Sequence, residues 1–255
     1  MKRNKKKFFI DLYAILGITI FLFLWAILSA LIHEPKLIFP SPIDTFKEFF
    51  TLIGQKYTYL CIGQSLLKTC IGFLCSLILG CIFGIFGGIF NKFHKTILPI
   101  ITSLKAIPTV SFLFLFFVIS GYENAPIFVV IFITFPSLYD SVVGGIRNIS
   151  KSIIAATRLD SSSLFKRIHK VYFPLAFNYI AVGITASFGL ALKVEIMSEV
   201  ISGSSSYGIG NAIRIAKSTD VMMAPIFAWT LISVILLLCI TYLLKIIKSR
   251  LIKKD

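Results

Sequence analysis

Long apolar runs recur along the chain, and they constrain its fold more than any other feature. A helix needs about 20 predominantly apolar residues to cross a bilayer. The chain has 255 residues, of which 57% are hydrophobic, and its mean hydropathy is +0.90. A soluble domain of this length would not carry several such runs. The sequence therefore predicts an all-α polytopic membrane protein.

Six runs are long and apolar enough to be spans. They lie at 9–32, 60–90, 97–120, 126–146, 174–202 and 222–246. The first is too long for the apolar core of a signal peptide and is expected to be retained as a span. We expect a single membrane domain over 1–255, with its core at 60–246 between a basic tail at 1–8 and a second tail at 247–255.

The basic residues are distributed unevenly about these spans. The net charge is +15. If the N-terminus is inside, the inner segments hold 18 of the 26 Lys and Arg residues, the outer segments hold five, and three lie within spans. This asymmetry follows the positive-inside rule and predicts that both termini are cytoplasmic. It favours anionic membrane lipid, and not nucleic acid, as the partner of the basic surface.

Signatures of catalysis and of metal binding are missing from the sequence. No GxxxxGK[ST] phosphate loop occurs, so the chain is not expected to hydrolyse ATP by that mechanism. The three histidines are far apart, and the five cysteines fall in apolar runs without a CxxC pair. We therefore expect no cofactor, no metal and no enzymatic activity on this chain. A membrane enzyme that uses Glu195 and Glu199, four residues apart, is the weaker alternative.

The segment at 39–56 combines two prolines with an amphipathic pattern. Pro40 and Pro42 predict an extended turn. One face of the helix that follows is apolar and consists of Ile43, Phe46, Phe49, Phe50 and Ile53. Such a helix is expected to lie on the outer surface of the membrane.

Small residues recur at every fourth position of the second span. They are Gly72, Ser76, Gly80, Gly84 and Gly88. A ribbon of this kind allows the backbone of another membrane helix to approach closely. It therefore predicts a helix–helix contact and not a ligand groove.

Several polar residues fall within or beside the spans, where they are costly without a partner or a wet path. Lys105 precedes Pro108, which interrupts helical hydrogen bonding; the lysine either contacts a solute or extends to the interface from a kinked helix. Lys193 and Glu199 lie in the outer half of the fifth span. Glu199 either lines a pathway or belongs to a structural ion pair.

The basic segment at 147–173 is too polar to cross a bilayer. Ser150 or Ser152 can cap a short helix that presents Ala155 and Ala156 as a flat surface. A turn follows, and then a second amphipathic helix leads to Pro174, which suits a first helical turn. We expect a cytoplasmic helix-turn-helix.

This segment resembles the coupling loop of bacterial ABC importer permeases, whose pattern reads EAA-x3-G-x9-I-x-LP. Its residues follow that spacing as Ala155-Ala156-Thr157, Ser161, Val171 and Phe173-Pro174, with Ala155 in place of Glu and Ser161 in place of Gly. Moving the first half of the pattern by one residue restores neither the Glu nor the Gly. Three further features resemble those of the permease branch that transports nitrate, sulfonates, taurine and bicarbonate. They are the Pro-Ser-Pro turn, the basic-x-x-Pro passage and the acidic residue before Gly-x-Gly.

The resemblance implies a permease subunit in the bacterial inner membrane. It implies a homodimer that works with two cytoplasmic ATPase subunits, which hold ATP and Mg, and with an extracytoplasmic solute-binding protein. The implied coupling residues are Ala155, Ala156, Thr157, Ser161, Val171 and Pro174. The residues expected in the pathway are Lys105, Pro108, Lys193 and Glu199. The solute is a small anion of these kinds or a vitamin precursor. A scaffold or receptor-like subunit, whose basic loop binds lipid or a regulator, is the alternative.

Overall fold

The computed structural model describes residues 2–32, 38–160, 163–203, 207–219 and 222–252, and these ranges are helical without any strand. The helices are α1 Lys2–Leu31, α2 Pro42–Ile53, α3 Lys56–Ile89, α4 Asn91–Ala106, α5 Thr109–Arg147, α6 Lys151–Asp160, α7 Leu164–Arg167, α8 Phe173–Ser202, α9 Ile209–Thr219 and α10 Ala224–Ile252. The expectation of an all-helical fold is therefore confirmed for the part of the chain that the structure covers.

Four helices in the described ranges are long and apolar enough to cross a membrane: Lys56–Ile89, Thr109–Arg147, Leu164–Ser202 and Ala224–Arg250. A shorter apolar helix runs over Ile15–Leu31. These agree with a multi-pass membrane protein, while the count of six spans stays a prediction.

The region of the predicted third span differs most from expectation. Instead of one kinked helix over 97–120, α4 ends at Ala106 and α5 begins at Thr109. Ile107 is extended (φ −71°, ψ 127°), because a residue before proline is disfavoured in the helical region. Within α5, Gly121 has φ 76° and ψ 165°, which separates the helical segment before it from the one after it.

The chain divides into two compact units. The smaller comprises Met1–Tyr59 and Ala212–Val234, and the larger comprises Leu60–Asn211 and Ile235–Asp255. In the larger unit, α5 packs extensively along α8. Their shared core contains Leu113, Val129 and Ala191, each without exposed surface. Phe73 of α3 meets Phe188 of α8 edge-to-face at 5.1 Å between ring centroids.

The predicted ribbon of small residues on α3 packs against α5, residue by residue. A Cβ on Gly72 would lie 2.9 Å from Val130, on Gly80 2.7 Å from Leu138, on Gly84 2.6 Å from Val142 and on Gly88 2.7 Å from Ile146. Between them, Thr134 donates a hydrogen bond to the Ser76 hydroxyl at 2.7 Å. The prediction of a close helix–helix contact is confirmed, because only residues this small allow the approach.

The segment between α5 and α8 holds α6 and the short helix α7. Ser163 caps α7 through a contact with the Lys166 amide. A π-helical turn, Ile168–Tyr172, joins α7 directly to α8. The expected second helix of the loop thus continues into the following span. Ser161 lies outside the described residues.

Candidate functional site

A buried hydrogen-bond cluster joins three helices of the larger unit. Glu199 of α8 is 2% exposed. Its Oε2 accepts a hydrogen bond from the Ser65 hydroxyl of α3 at 2.7 Å and another from the Gly210 amide at 3.0 Å. The Ser65 hydroxyl in turn accepts from the Ile209 amide at 2.8 Å. The carboxylate therefore satisfies the first turn of α9, where unpaired amides and the helix dipole favour negative charge.

Two glycines make room for this carboxylate. Gly208 has φ +146°, and a Cβ there would lie 2.6 Å from Glu199 Oε1. A Cβ on Gly210 would collide with the Ile196 carbonyl and the Glu199 side chain. The Gly-x-Gly pattern that follows the acidic residue thus serves close backbone approach to that acid. Glu199 thus has two polar partners, the Ser65 hydroxyl and the Gly210 amide, and its place in a pathway stays a prediction.

Two further ionisable side chains are buried next to this cluster. Glu195 is 0% exposed and Lys68 is 4% exposed. Neither has a hydrogen-bond partner among the described residues, but the charge of Lys68 acts on both Glu195 and Glu199. Removing one member of such a group leaves an uncompensated buried charge. Glu195 and Glu199 were expected to share a face of the helix, whereas the position of Lys68 beside them was not predicted.

Lys193 lies on a different side of α8, in a groove shared with α10. The groove encloses about 550 Å³ and is lined by three lysines, Lys193, Lys245 and Lys248, and otherwise by small, hydroxyl-bearing or apolar side chains. Gly189 lies at its floor, facing Leu237 and Thr241. Since none of the described residues that line it is acidic, the groove is electropositive. Lys245 and Lys248 were expected only among the basic residues on the inner side of the last span.

A second groove of about 600 Å³ lies between α5 and α8 and shares Val182, Ala186 and Lys248 with the first. Its polar wall includes Asp140, Asn148 and Asn178. Asp140 forms an ion pair with Lys105 of α4. Lys105 and Lys193 are therefore associated with adjoining grooves, whereas Glu199 is enclosed elsewhere and Pro108 caps the start of α5.

Arg147 at the end of α5 contacts the junction between α3 and α4. It donates to the Gly87 carbonyl at 3.1 Å and to Asn91 Oδ1 at 3.3 Å. Nearby, His94 Nδ1 and the Tyr139 hydroxyl are 2.8 Å apart. Burial, and then the Arg147 charge, lower the pKa of His94 below 6.5, while Asp140 acts in the opposite direction.

The residues proposed for coupling lie largely at the surface. Ala155, Ala156 and Pro174 are exposed, and Thr157 and Val171 are half-buried. The Thr157 hydroxyl donates to the Ile154 carbonyl at 2.9 Å, within its own helix. A flat exposed patch on α6 suits contact with another protein, and its role in coupling stays a prediction.

Comparisons with known proteins place these features in context. Residues 76–253 match the family described as binding-protein-dependent transport system inner membrane component. The chain is 26% identical to the permease SsuC of Bacillus subtilis (strain 168), named for aliphatic sulfonates transport, over 76% of this chain and 70% of that protein. It is 26% identical to the bicarbonate transport system permease CmpB of Synechococcus elongatus, over 89% of this chain and 86% of that one.

A solved structure has the same fold. A chain of the MetNI methionine ABC transporter, in an inward-facing conformation, superposes with a TM-score of 0.61 at 17% identity and covers 81% of this chain and 97% of its own. The likeness establishes the fold of an ABC transporter permease for the described helices.

Proposed function

Because the chain belongs to the binding-protein-dependent transport system inner membrane component family, we propose that it forms the translocation path of an ATP-driven importer for a small solute. The observation that carries this proposal is the family match over 76–253, which includes the α5–α8 core and both grooves. The chain is a transport subunit, and ATP and Mg bind to partner ATPase subunits.

The solute belongs to a class of small molecules that includes those for which related permeases are named. Relatives are named for aliphatic sulfonates, nitrate and bicarbonate, and we extend the class to taurine and to vitamin precursors. The electropositive groove with Lys193, Lys245 and Lys248 supports a solute that carries negative charge. A solute-binding protein on the outer side delivers it.

The subunit has six spans with both termini in the cytoplasm, and two copies enclose one path. In this arrangement, α4 and the part of α5 before Gly121 together form the third of the six spans. Lys105, Pro108, Lys193 and Glu199 belong to the pathway. Lys105 and Lys193 act at the grooves, while Glu199 fixes the turn before α9 on the outer side.

The segment at 147–173 is a cytoplasmic helix-turn-helix that seats in the ATPase. Ala155, Ala156 and Thr157 present its contact surface, Ser161 lies at the turn, and Val171 and Pro174 lead into the span. Closure of the ATPase subunits on nucleotide moves this segment and biases α5 and α8 between two arrangements. The direct continuation of α7 into α8 supports this transmission, because a continuous helix moves as one body.

The test is ATP hydrolysis by the purified complex that carries Ala155→Arg and Ala156→Arg. Two bulky charges on the flat surface should release the ATPase or abolish hydrolysis stimulated by the binding protein. Ser249→Arg is the matched control, because Ser249 is exposed near the far end of α10 and outside the proposed contact. ATPase association unchanged in the double variant would contradict the coupling role.

A scaffold or receptor-like subunit, whose basic loop binds lipid or a regulator, is the second candidate. It predicts no ATPase in the purified complex and no solute uptake in proteoliposomes. Uptake that depends on ATP and on the binding protein would exclude it.

A further inference from the structure

We infer that α2 is embedded in the lipid interface at the end of the first apolar helix. Its apolar stripe, which consists of Ile43, Phe46, Phe50 and Ile53, lies among phospholipid acyl chains and not in water or against a protein. This lipid-binding surface lies in the smaller unit, outside the segment that matches the family, and it does not depend on the proposed transport function. The amphipathic pattern was visible in the sequence, but the depth and the direction of the stripe follow from the contacts below.

The apolar stripe of α2 is open. Ile43 is 67% exposed, Phe46 40%, Phe50 69% and Ile53 38%. Their spacing of three, four and three residues puts them on one side of the helix. Thr45 and Leu52 point the other way and are buried. The helix therefore packs through Thr45 and Leu52 and leaves the apolar stripe uncovered.

Polar residues occupy a third side of α2. Asp44, Lys47 and Glu48 line a small cavity of about 220 Å³, together with Met222. An apolar stripe beside a charged one is the pattern of a helix that lies in the membrane plane, with one side toward acyl chains and the other toward headgroups and water.

Both ends of α2 are fixed. Ser41 accepts a hydrogen bond from the Asp44 amide at 3.1 Å, and Pro42 occupies the first turn, where its missing N–H has no cost. At the other end, the Thr58 hydroxyl donates to the Leu52 carbonyl at 2.6 Å. These bonds define where the helix starts and ends, and the burial of Thr45 and Leu52 sets the direction of the stripe.

The depth of α2 follows from two contacts with α1. The Trp25 indole donates to the Pro40 carbonyl at 3.0 Å, and the Ser29 hydroxyl donates to the Phe39 carbonyl at 3.0 Å. The chain therefore runs back along α1 before α2 begins. At a rise of 1.5 Å per residue, Trp25 lies about 9 Å below Leu31 along the helix axis. The start of α2 is level with apolar helix and not above it.

Aromatic residues mark the same level. Trp25 and Phe39 both pack on Phe227, with ring centroids at 5.9 Å and 5.5 Å. Tyr57 meets Trp229 at 6.3 Å. Tryptophan and tyrosine concentrate at membrane–water boundaries, and both tryptophans of the chain lie in this unit. Phe21 and Leu28 of α1 are exposed in the same unit.

The test is photo-crosslinking of the full chain in vesicles of phosphatidylethanolamine and phosphatidylglycerol. p-Benzoylphenylalanine replaces Phe50, and in a matched control it replaces the adjacent Thr51, which is also exposed but lies about 100° around the helix on the charged side. Neither replacement removes a buried side chain. We expect a phospholipid adduct, detected by mass spectrometry, at position 50 and little or none at position 51.

Each other result overturns the inference. An adduct between position 50 and a protein chain would show that a second copy or another protein covers the stripe. The absence of any adduct at position 50 would place the stripe in water. Equal lipid adducts at both positions would show that α2 is not oriented by its stripe.

Discussion

Ser65 and Glu199 are 134 residues apart in sequence, yet the serine hydroxyl donates to the buried carboxylate at 2.7 Å. The same hydroxyl accepts the Ile209 amide, so one small side chain ties α3, α8 and the start of α9 together. The Gly208–Gly210 turn is thereby held against the end of α8. Any motion that separates these helices must break this group of hydrogen bonds in an apolar environment.

Replacement of Ser65 by alanine should be destabilising for this reason. It removes a donor from Glu199 and leaves the Ile209 amide unpaired, which costs about 1–3 kcal/mol for a buried group. The measurement is the free energy of unfolding in mixed micelles. Ser233→Ala is the control, because the exposed Ser233 hydroxyl bonds the Thr230 carbonyl of its own helix, and its loss should change stability by less than about 0.5 kcal/mol. Equal effects of the two variants would contradict the role of Ser65.

Two glycine-to-alanine substitutions in α3 should change the stability of the protein in opposite directions. In Gly84→Ala the new Cβ would lie 2.6 Å from the Val142 Cβ, and such overpacking typically costs about 1–3 kcal/mol. In Gly63→Ala the new Cβ would meet no atom within 4 Å, so the higher helix propensity of alanine should stabilise the protein by about 0.5–1 kcal/mol. Thermal unfolding of both variants compares them directly. Destabilisation of similar size at both positions would mean that the ribbon is not the cause.

The ion pair between Lys105 and Asp140 should contribute little to stability. Its side chains are 43% and 45% exposed, and exposed pairs typically contribute about 0–1 kcal/mol. A double-mutant cycle with Lys105→Gln and Asp140→Asn should therefore give a coupling energy below about 1 kcal/mol. If Lys105 acts in the pathway, Lys105→Gln should still reduce uptake in proteoliposomes. A larger coupling energy together with normal uptake would assign the pair a structural role instead.

Stability should depend on pH through His94. Its pKa in the folded chain is lowered below 6.5, first by burial and then by Arg147. The unfolded chain therefore binds a proton more readily than the folded chain. The contribution of His94 is fully present above pH 6.5 and is lost as the pH falls through the lower, folded value. The temperature of the unfolding midpoint of the wild type should thus be lower at pH 5 than at pH 7.5. These two pH values are chosen to bracket the ordinary pKa of 6.5.

His94→Gln tests that assignment. Glutamine keeps a polar partner for the Tyr139 hydroxyl but does not titrate, so the slope of the midpoint against pH should become shallower. An unchanged slope would assign the pH dependence to other groups.

Much of the helical framework could be predicted from local pattern. The apolar runs predicted helices, and the repeat of Gly80, Gly84 and Gly88 predicted a close helix–helix contact. The helical periodicity around Phe46 and Phe50 predicted an amphipathic helix. Each of these features involves residues within a few turns of one helix, because helical periodicity places residues that are close in sequence on one face. Pro108 predicted an interruption of the helix, but whether a proline kinks a helix or ends it depends on the neighbouring helices.

Local sequence pattern is enough to predict a helical membrane protein, a closely packed face on α3 and two different faces on α2. That α5 packs on the ribbon is known only from the folded chain, since Val130, Leu138 and Val142 are ordinary apolar residues in the sequence. The tertiary structure also decided that Glu199 is enclosed with Ser65 while Lys193 faces a groove. Hydrogen bonds and ion pairs between distant segments leave no periodic trace in the sequence, because they depend on which helices become neighbours and not on spacing along any one of them.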